Sequence, residues 1–192
     1  MGNTCMKETS PLSSDNDDFR KEKIFRIFQI KDFDGDGKVS PEDFVTWGRL
    51  ASKNMSIEFT DEKKKAWLAA HEAYFGNGGS ESPEKYYESI LEFIKLENHV
   101  ELATQVNVTL FDCLDADGDG TVSIDEYRAF IQPLGITNEE DIRFGFDCID
   151  ENKDGVLSKE EISKACCHYY FDTEATPYMN FYGKYDKKEA TH

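Results

Sequence analysis

Three stretches of this chain place oxygen-bearing side chains at alternate positions of a 12-residue segment. The first offers Asp32, Asp34, Asp36, Ser40 and Asp43, the second Asp115, Asp117, Asp119, Ser123 and Glu126, and the third Asp150, Asn152, Asp154, Ser158 and Glu161. Each has glycine at its sixth position and Val39, Val122 or Leu157 at its eighth. This spacing suits one kind of chemistry. A hard divalent cation takes six to eight oxygens at about 2.3–2.6 Å, and a loop wrapped round it offers alternate side chains, a backbone carbonyl at position 7 and a carboxylate at position 12. The carbonyls would come from Lys38, Thr121 and Val156. The glycine permits the sharp turn. Three such matches make calcium the expected cofactor, at three sites. Asp43 is one methylene shorter than Glu126 or Glu161, so a bidentate grip is harder and magnesium is expected to be better tolerated at the first site.

Helices must hold each loop in place. Apolar residues recur at helical spacing before every loop: Ile24, Ile27 and Phe28, then Leu110, Phe111 and Leu114, then Ile142, Phe146 and Ile149. The segments from Phe111 and from Phe146 repeat 35 residues apart. This is the EF-hand pattern. EF-hands pair, so three ask for a fourth between Leu50 and Val100. Thr60 can cap a helix through Trp67 to Tyr74, and Ser82-Pro83 can open another reaching about Leu96. The loop between them would have Tyr74 at position 1 and Lys85 at position 12, which cannot ligate calcium. A capping box from Thr137 to Glu140 is expected to open the last hand. The predicted fold is all-α: four EF-hand helix-loop-helix units in two paired lobes, forming one compact domain with short β-bridges between paired loops. The expected division is a flexible N-terminal tail at 1–17, a first pair at 18–100 with its second hand degenerate, an intact pair at 101–171, and an aromatic tail at 172–192 docking on the core.

The 192 residues carry 39 acidic against 22 basic side chains, a net charge of −17. Phosphate backbones repel such a chain, so nucleic acid is not an expected partner. The three loops hold 15 of the acids against 3 lysines, so most of the net charge belongs to them. With 39% hydrophobic and 13% aromatic residues the chain can build a core. No apolar run is long enough to cross a membrane, and no secretory leader is read at the N-terminus. Cys5, Cys113, Cys148, Cys166 and Cys167 are odd in number, with two adjacent. They read as reduced thiols of a cytoplasmic protein, Cys113 and Cys148 as small buried hydrophobes. The opening Met1-Gly2-Asn3-Thr4-Cys5 resembles the starts of dually acylated plant calcium-dependent kinases over those five residues. Myristoylation of Gly2 and palmitoylation of Cys5 would tether the chain to a membrane, whereas an unmodified tail would not.

Seven aromatics lie between Tyr169 and Tyr185, too much apolar surface to leave in water. They read either as a self-docked plug or as the wall of a ligand cavity. The three loops, the degenerate second hand with its Tyr74-Phe75-Gly76 entry and the closing Phe181-Tyr182-Gly183 resemble the sarcoplasmic calcium-binding proteins, the coelenterazine-binding proteins and the aequorin-type photoproteins, over residues 18–185. The resemblance implies paired lobes facing each other across a hydrophobic core, which in photoproteins holds a luciferin among His, Trp and Tyr side chains. Here His168, Tyr169, Tyr170, Trp47 and Trp67 are available in type. No nucleophile–base pair or phosphate loop argues for an enzyme. Three functions are expected to compete: a monomeric calcium buffer or signal modulator, a carrier of a small hydrophobic luciferin (or a photoprotein), and a calcium sensor that docks on a target protein.

Overall fold

The computed structural model describes residues 14–75 and 82–185, whose regular elements are all helical. The first hand is α1 (Ser14–Lys31) and α2 (Pro41–Asn54), and the second is α3 (Asp61–Phe75) and α4 (Pro83–Ile94). The third is α5 (His99–Leu114) and α6 (Ile124–Ile131), and the fourth is α7 (Glu139–Ile149) and α8 (Lys159–Phe171). Short 3-10 turns follow at Gln132–Leu134 and Pro177–Asn180.

The loop sequences themselves start the exit helices. In all three loops the serine at position 9 is the N-cap and the residue at position 12 is the third helical residue. Ser40 with Asp43, Ser123 with Glu126, and Ser158 with Glu161 each close a reciprocal capping box. One S-x-x-E/D pattern therefore satisfies the orphan N–H groups of a helix and fixes the last metal-facing carboxylate of the loop. In the second hand, Thr60 accepts from the Lys63 N–H and Ser82 from the Lys85 N–H. Pro83 fits the first helical position, where its missing N–H costs nothing.

Three details differ from the expectations. Helix α1 begins at Ser14, so it reaches back into the stretch read as a flexible tail. Asp17 and Asp18 near its start favour the positive end of the helix dipole. At α7 the cap is Asn138, not Thr137: its side-chain oxygen accepts from the N–H groups of Glu140 and Asp141. The short carboxamide reaches both donors, and Asn ranks above Thr as a cap. Cys148 is half-buried, unlike the buried Cys113, and its sulfur accepts from the Asn180 amide.

The two pairs share one interior. Helix α2 packs on both α3 and α6, α3 on α5, α5 on α8, and α1 on both α4 and α8. Within the second pair, Val122 and Leu157 exchange N–H···O bonds of 2.8 Å in both directions, the expected β-bridge. Gly48 on α2 is packed against Trp67 of α3. A Cβ there would stand 2.5 Å from the indole nitrogen. One face of α1 caps the end of α8: Arg20 donates to the Phe171 carbonyl, and Lys23 to the carbonyls of Tyr169 and Asp172. Cations at a helix C-terminus satisfy its orphan carbonyls and its dipole together.

Candidate functional site

The loops around Asp32 and Asp115 gather their acids closely. Carboxylate oxygens of Asp32, Asp34 and Asp36 all lie within 4.8 Å of one another, as do those of Asp115, Asp117 and Glu126. Backbone N–H groups shape these clusters. Asp32 accepts from Gly35 and Gly37, Asp115 from Gly118, Asp119 and Gly120, and Asp150 from Gly155. The sixth-position glycines Gly37, Gly120 and Gly155 have φ of 84°, 88° and 89°, a left-handed backbone that a side chain disfavours. The residue at position 12 reaches back across each loop. Asp43 accepts from the Phe33 N–H, Glu126 from the Ala116 N–H and Glu161 from the Glu151 N–H, at 2.9, 2.7 and 3.0 Å.

These donor sets suit a hard cation. They hold carboxylates and a carboxamide with carbonyls beside them, and no soft sulfur or imidazole. The fourth loop adds a specific sign. Asp150 is buried, and its Oδ1 has no hydrogen-bond partner among the described residues. A buried carboxylate oxygen left unpaired is costly, and a coordinated cation would remove that cost. The second-hand loop falls largely at residues 76–81, outside the described residues, as do Gly2 and Cys5.

Between the hands lies an aromatic interior. Trp47 donates to the Phe130 carbonyl at 2.8 Å and packs against Phe130 and Trp67 with ring centroids 4.7 and 4.9 Å apart. Tyr169, Tyr170 and Tyr182 meet there, with the hydroxyls of Tyr170 and Tyr182 3.1 Å apart. Tyr182 arrives from the C-terminal segment, where Phe181, Tyr182 and Tyr185 are all buried. Arg26 holds that segment by donating to the Tyr182 carbonyl at 3.1 Å.

Of the side chains named as candidate cavity walls, Trp47, Trp67, Tyr169 and Tyr170 are in this interior. His168 is not. Its Nδ1 bonds the Asp172 carboxylate at 3.0 Å and its ring stacks on Tyr178. The interior imidazole is instead His71 on α3, in edge contact with Phe44 and, among the described residues, without a partner for Nε2. Burial, partly offset by a hydrogen bond with the Val39 backbone, lowers the His71 pKa.

Sequence reasoning missed Lys31. It precedes the first loop at the place held by Leu114 and Ile149 in the third and fourth hands, and at 3% exposure it is as buried as Leu114. Its ammonium donates to the Tyr170 hydroxyl at 2.7 Å. The centroids of Phe44, Trp47, Tyr182 and Tyr170 lie 5.1–5.5 Å from it. Burial pushes its pKa down to about 7. Comparing the three loop entries position by position would have exposed this substitution.

These features define a class: a four-hand calcium-binding fold with cation loops facing outward and aromatics converging within. Models of the EF-hand domain pair match residues 108–167 and residues 12–46. The chain is 31% identical to luciferin-binding protein from Renilla reniformis over 160 residues, 79% of this chain and 86% of that protein. Its structure matches calcium-loaded apo coelenterazine-binding protein from Renilla muelleri with a TM-score of 0.76, at 24% identity over 91% of this chain and all of that one. It also matches the ctenophore photoprotein berovin with a TM-score of 0.62, at 23% identity, covering 78% of this chain and 87% of berovin. In that structure all three calcium-binding loops bind magnesium. The chain belongs to the EF-hand calcium-binding proteins, in the branch that holds luciferin-binding protein and the photoproteins.

Proposed function

We propose that this protein is a three-site calcium-binding carrier of an apolar aromatic ligand. The cations are taken by Asp32, Asp34, Asp36, the Lys38 carbonyl and Asp43; by Asp115, Asp117, Asp119, the Thr121 carbonyl and Glu126; and by Asp150, Asn152, Asp154, the Val156 carbonyl and Glu161. The shorter Asp43 favours magnesium tolerance at the first of these, a reading in line with the magnesium-loaded berovin loops. The role is binding rather than catalysis.

The observation that carries the ligand reading is the interior itself. Aromatic rings from both pairs of hands converge there, beside His71, whose Nε2 has no hydrogen-bond partner among the described residues. Pockets for organic ligands are mostly apolar, with a few polar groups that set orientation. The similarity to luciferin-binding protein supports the same reading.

One observation favours a second reading. Tyr182 fills the space between Tyr169 and Phe130, as a plug would in a pure calcium buffer. Coelenterazine incubation followed by gel filtration separates the two, run once with chelator and once with calcium. A carrier retains visible absorbance at one chromophore per chain in at least one condition. Three bound calcium ions with no retained chromophore in either condition favour the buffer.

A further inference from the structure

We infer that the fourth loop is the tuned calcium site of the intact pair: Lys153 and Asn152 hold it weaker than the third, and Glu151 links its filling to the docking of the C-terminal segment. The inference rests on the reading that all three loops bind calcium, and adds how one of them is set.

The first argument is position 4 of the loops. All three turn through a left-handed residue there. The first and third use Gly35 and Gly118, at φ of 72° and 74°, whereas the fourth uses Lys153, at 61°. A side chain in that region is costly, because its Cβ crowds the following carbonyl. A hydrogen bond is lost at the same point. The Gly35 and Gly118 N–H groups donate to Oδ1 of Asp32 and of Asp115, at 2.9 and 2.8 Å. The corresponding Oδ1 of Asp150 has no partner among the described residues. The fourth loop therefore closes at a cost that its two relatives avoid.

The second argument is charge. Calcium affinity follows the number of charged ligands and the rigidity of the loop. The third loop offers four carboxylates, and the fourth three, because Asn152 stands where the third has Asp117. Asn152 Oδ1 accepts from the Asp154 N–H, which turns its amide nitrogen to Asp154 Oδ2, 2.8 Å away. A donor thus engages a carboxylate oxygen at the point where Asp117 has a second acceptor.

The third argument is position 2, where the loops carry Phe33, Ala116 and Glu151. The Glu151 backbone N–H donates to the position-12 carboxylate of Glu161. Its side chain leaves the loop, and Oε1 accepts from Lys164 at 2.6 Å and from the Tyr178 hydroxyl. Tyr178 belongs to the 3-10 turn Pro177–Asn180, and Asn180 Oδ1 in that turn accepts from the Tyr185 N–H at 2.8 Å. One residue therefore holds the last ligand of the loop by its backbone and the C-terminal segment by its side chain. The docked segment pre-organises the fourth loop, and by reciprocity an ion in that loop stabilises the docked segment.

The test uses the full chain and calcium alone. Asp32→Ala with Asp115→Ala leaves only the fourth loop, and Asp32→Ala with Asp150→Ala leaves only the third. Calorimetry is expected to show the fourth binding about tenfold more weakly. Lys153→Gly should raise the affinity of the fourth by about tenfold. Tyr178→Phe should lower it by about fivefold, and neither change should move the third. Equal affinities of the two sites, no gain from Lys153→Gly, or the same effect of Tyr178→Phe on both sites overturn the inference. A second measurement needs no alanine background. Protease cleavage within residues 177–185 is followed while calcium is added to the unaltered chain. Protection is expected to rise as the weaker site of the pair fills, with Lys153→Gly moving the midpoint to about tenfold lower calcium. Cleavage indifferent to calcium, or a midpoint unmoved by Lys153→Gly, overturns it. Only two ions bound by the unaltered chain, with the fourth loop silent, overturn the three-site reading itself. Three ions with the third and fourth sites equal keep that reading and overturn only the inference.

Discussion

The Tyr127 hydroxyl donates to the Phe181 carbonyl at 2.7 Å, tying the exit helix of the third hand to the C-terminal segment. Both groups are buried. Tyr127→Phe removes the donor and leaves a carbonyl without its partner, which costs roughly 1–3 kcal/mol. Gly145 makes room for this contact: a Cβ there would stand 2.6 Å from the Tyr127 hydroxyl and 2.8 Å from the Asn180 carbonyl. Gly145→Ala is expected to displace the segment and to destabilise the fold by about 1–3 kcal/mol. Chemical denaturation of the calcium-loaded protein measures both losses. Proteolysis within residues 177–185 should quicken in the glycine variant, and an unchanged rate would count against the docking contact.

Asp43 sets a second prediction. It satisfies the same backbone groups as Glu126 and Glu161 with one methylene fewer, bonding Phe33 N–H through one oxygen and Ser40 through the other. Asp43→Glu should raise calcium affinity at one of the three sites by about tenfold and reduce its tolerance of magnesium. Competition calorimetry with both ions reads this directly. An unchanged ion preference would reject the role given to side-chain length.

Lys23 gives a pH dependence. Burial, and next to it the charge of Arg20, push its pKa down to about 7 against the opposing pull of Asp172. An unfolded lysine titrates near 10.4. Between these values the unfolded chain binds more protons than the folded one, so stability rises with pH across that window. The penalty of burying the charge is fully present below pH 7 and is relieved on the way to pH 10. The slope contributed by this one side chain approaches ~1 kcal/mol per pH unit. Denaturation at a series of pH values from 7 to 9 should show it, and Lys23→Met should flatten it. A slope that survives the substitution unaltered would assign it elsewhere.

The repeat made most of the fold legible. Oxygen side chains at alternate positions, glycine at the turn and serine at position 9 are local rules, so the loops could be read from short windows, whereas the capping box read at Thr137 gave way to an Asn138 cap. The β-bridge followed too, because Val122 and Leu157 share a position in paired loops. What could not be read was tertiary. His168 was a candidate for the interior by type, but its partner Asp172 lies one helical turn on and holds it outward. Nothing local says that α3 turns His71 toward Phe44. Lys31 stands beside an acidic loop, where a charged residue is ordinary. Only the packing of α8 and the C-terminal segment over it makes it a buried amine. Gly48 and Gly145 are similar cases, since each is required by a ring or a carbonyl distant in sequence.

Titration calorimetry tests most directly whether three of the four hands bind calcium through the named loops. The unaltered chain should bind three ions. Asp32→Ala, Asp115→Ala and Asp150→Ala should each remove one, and the loaded protein should melt well above the chelated one, because ligand bound only by the folded state stabilises it. Fewer than three ions, or the loss of any one of these aspartates without loss of a site, would contradict the account.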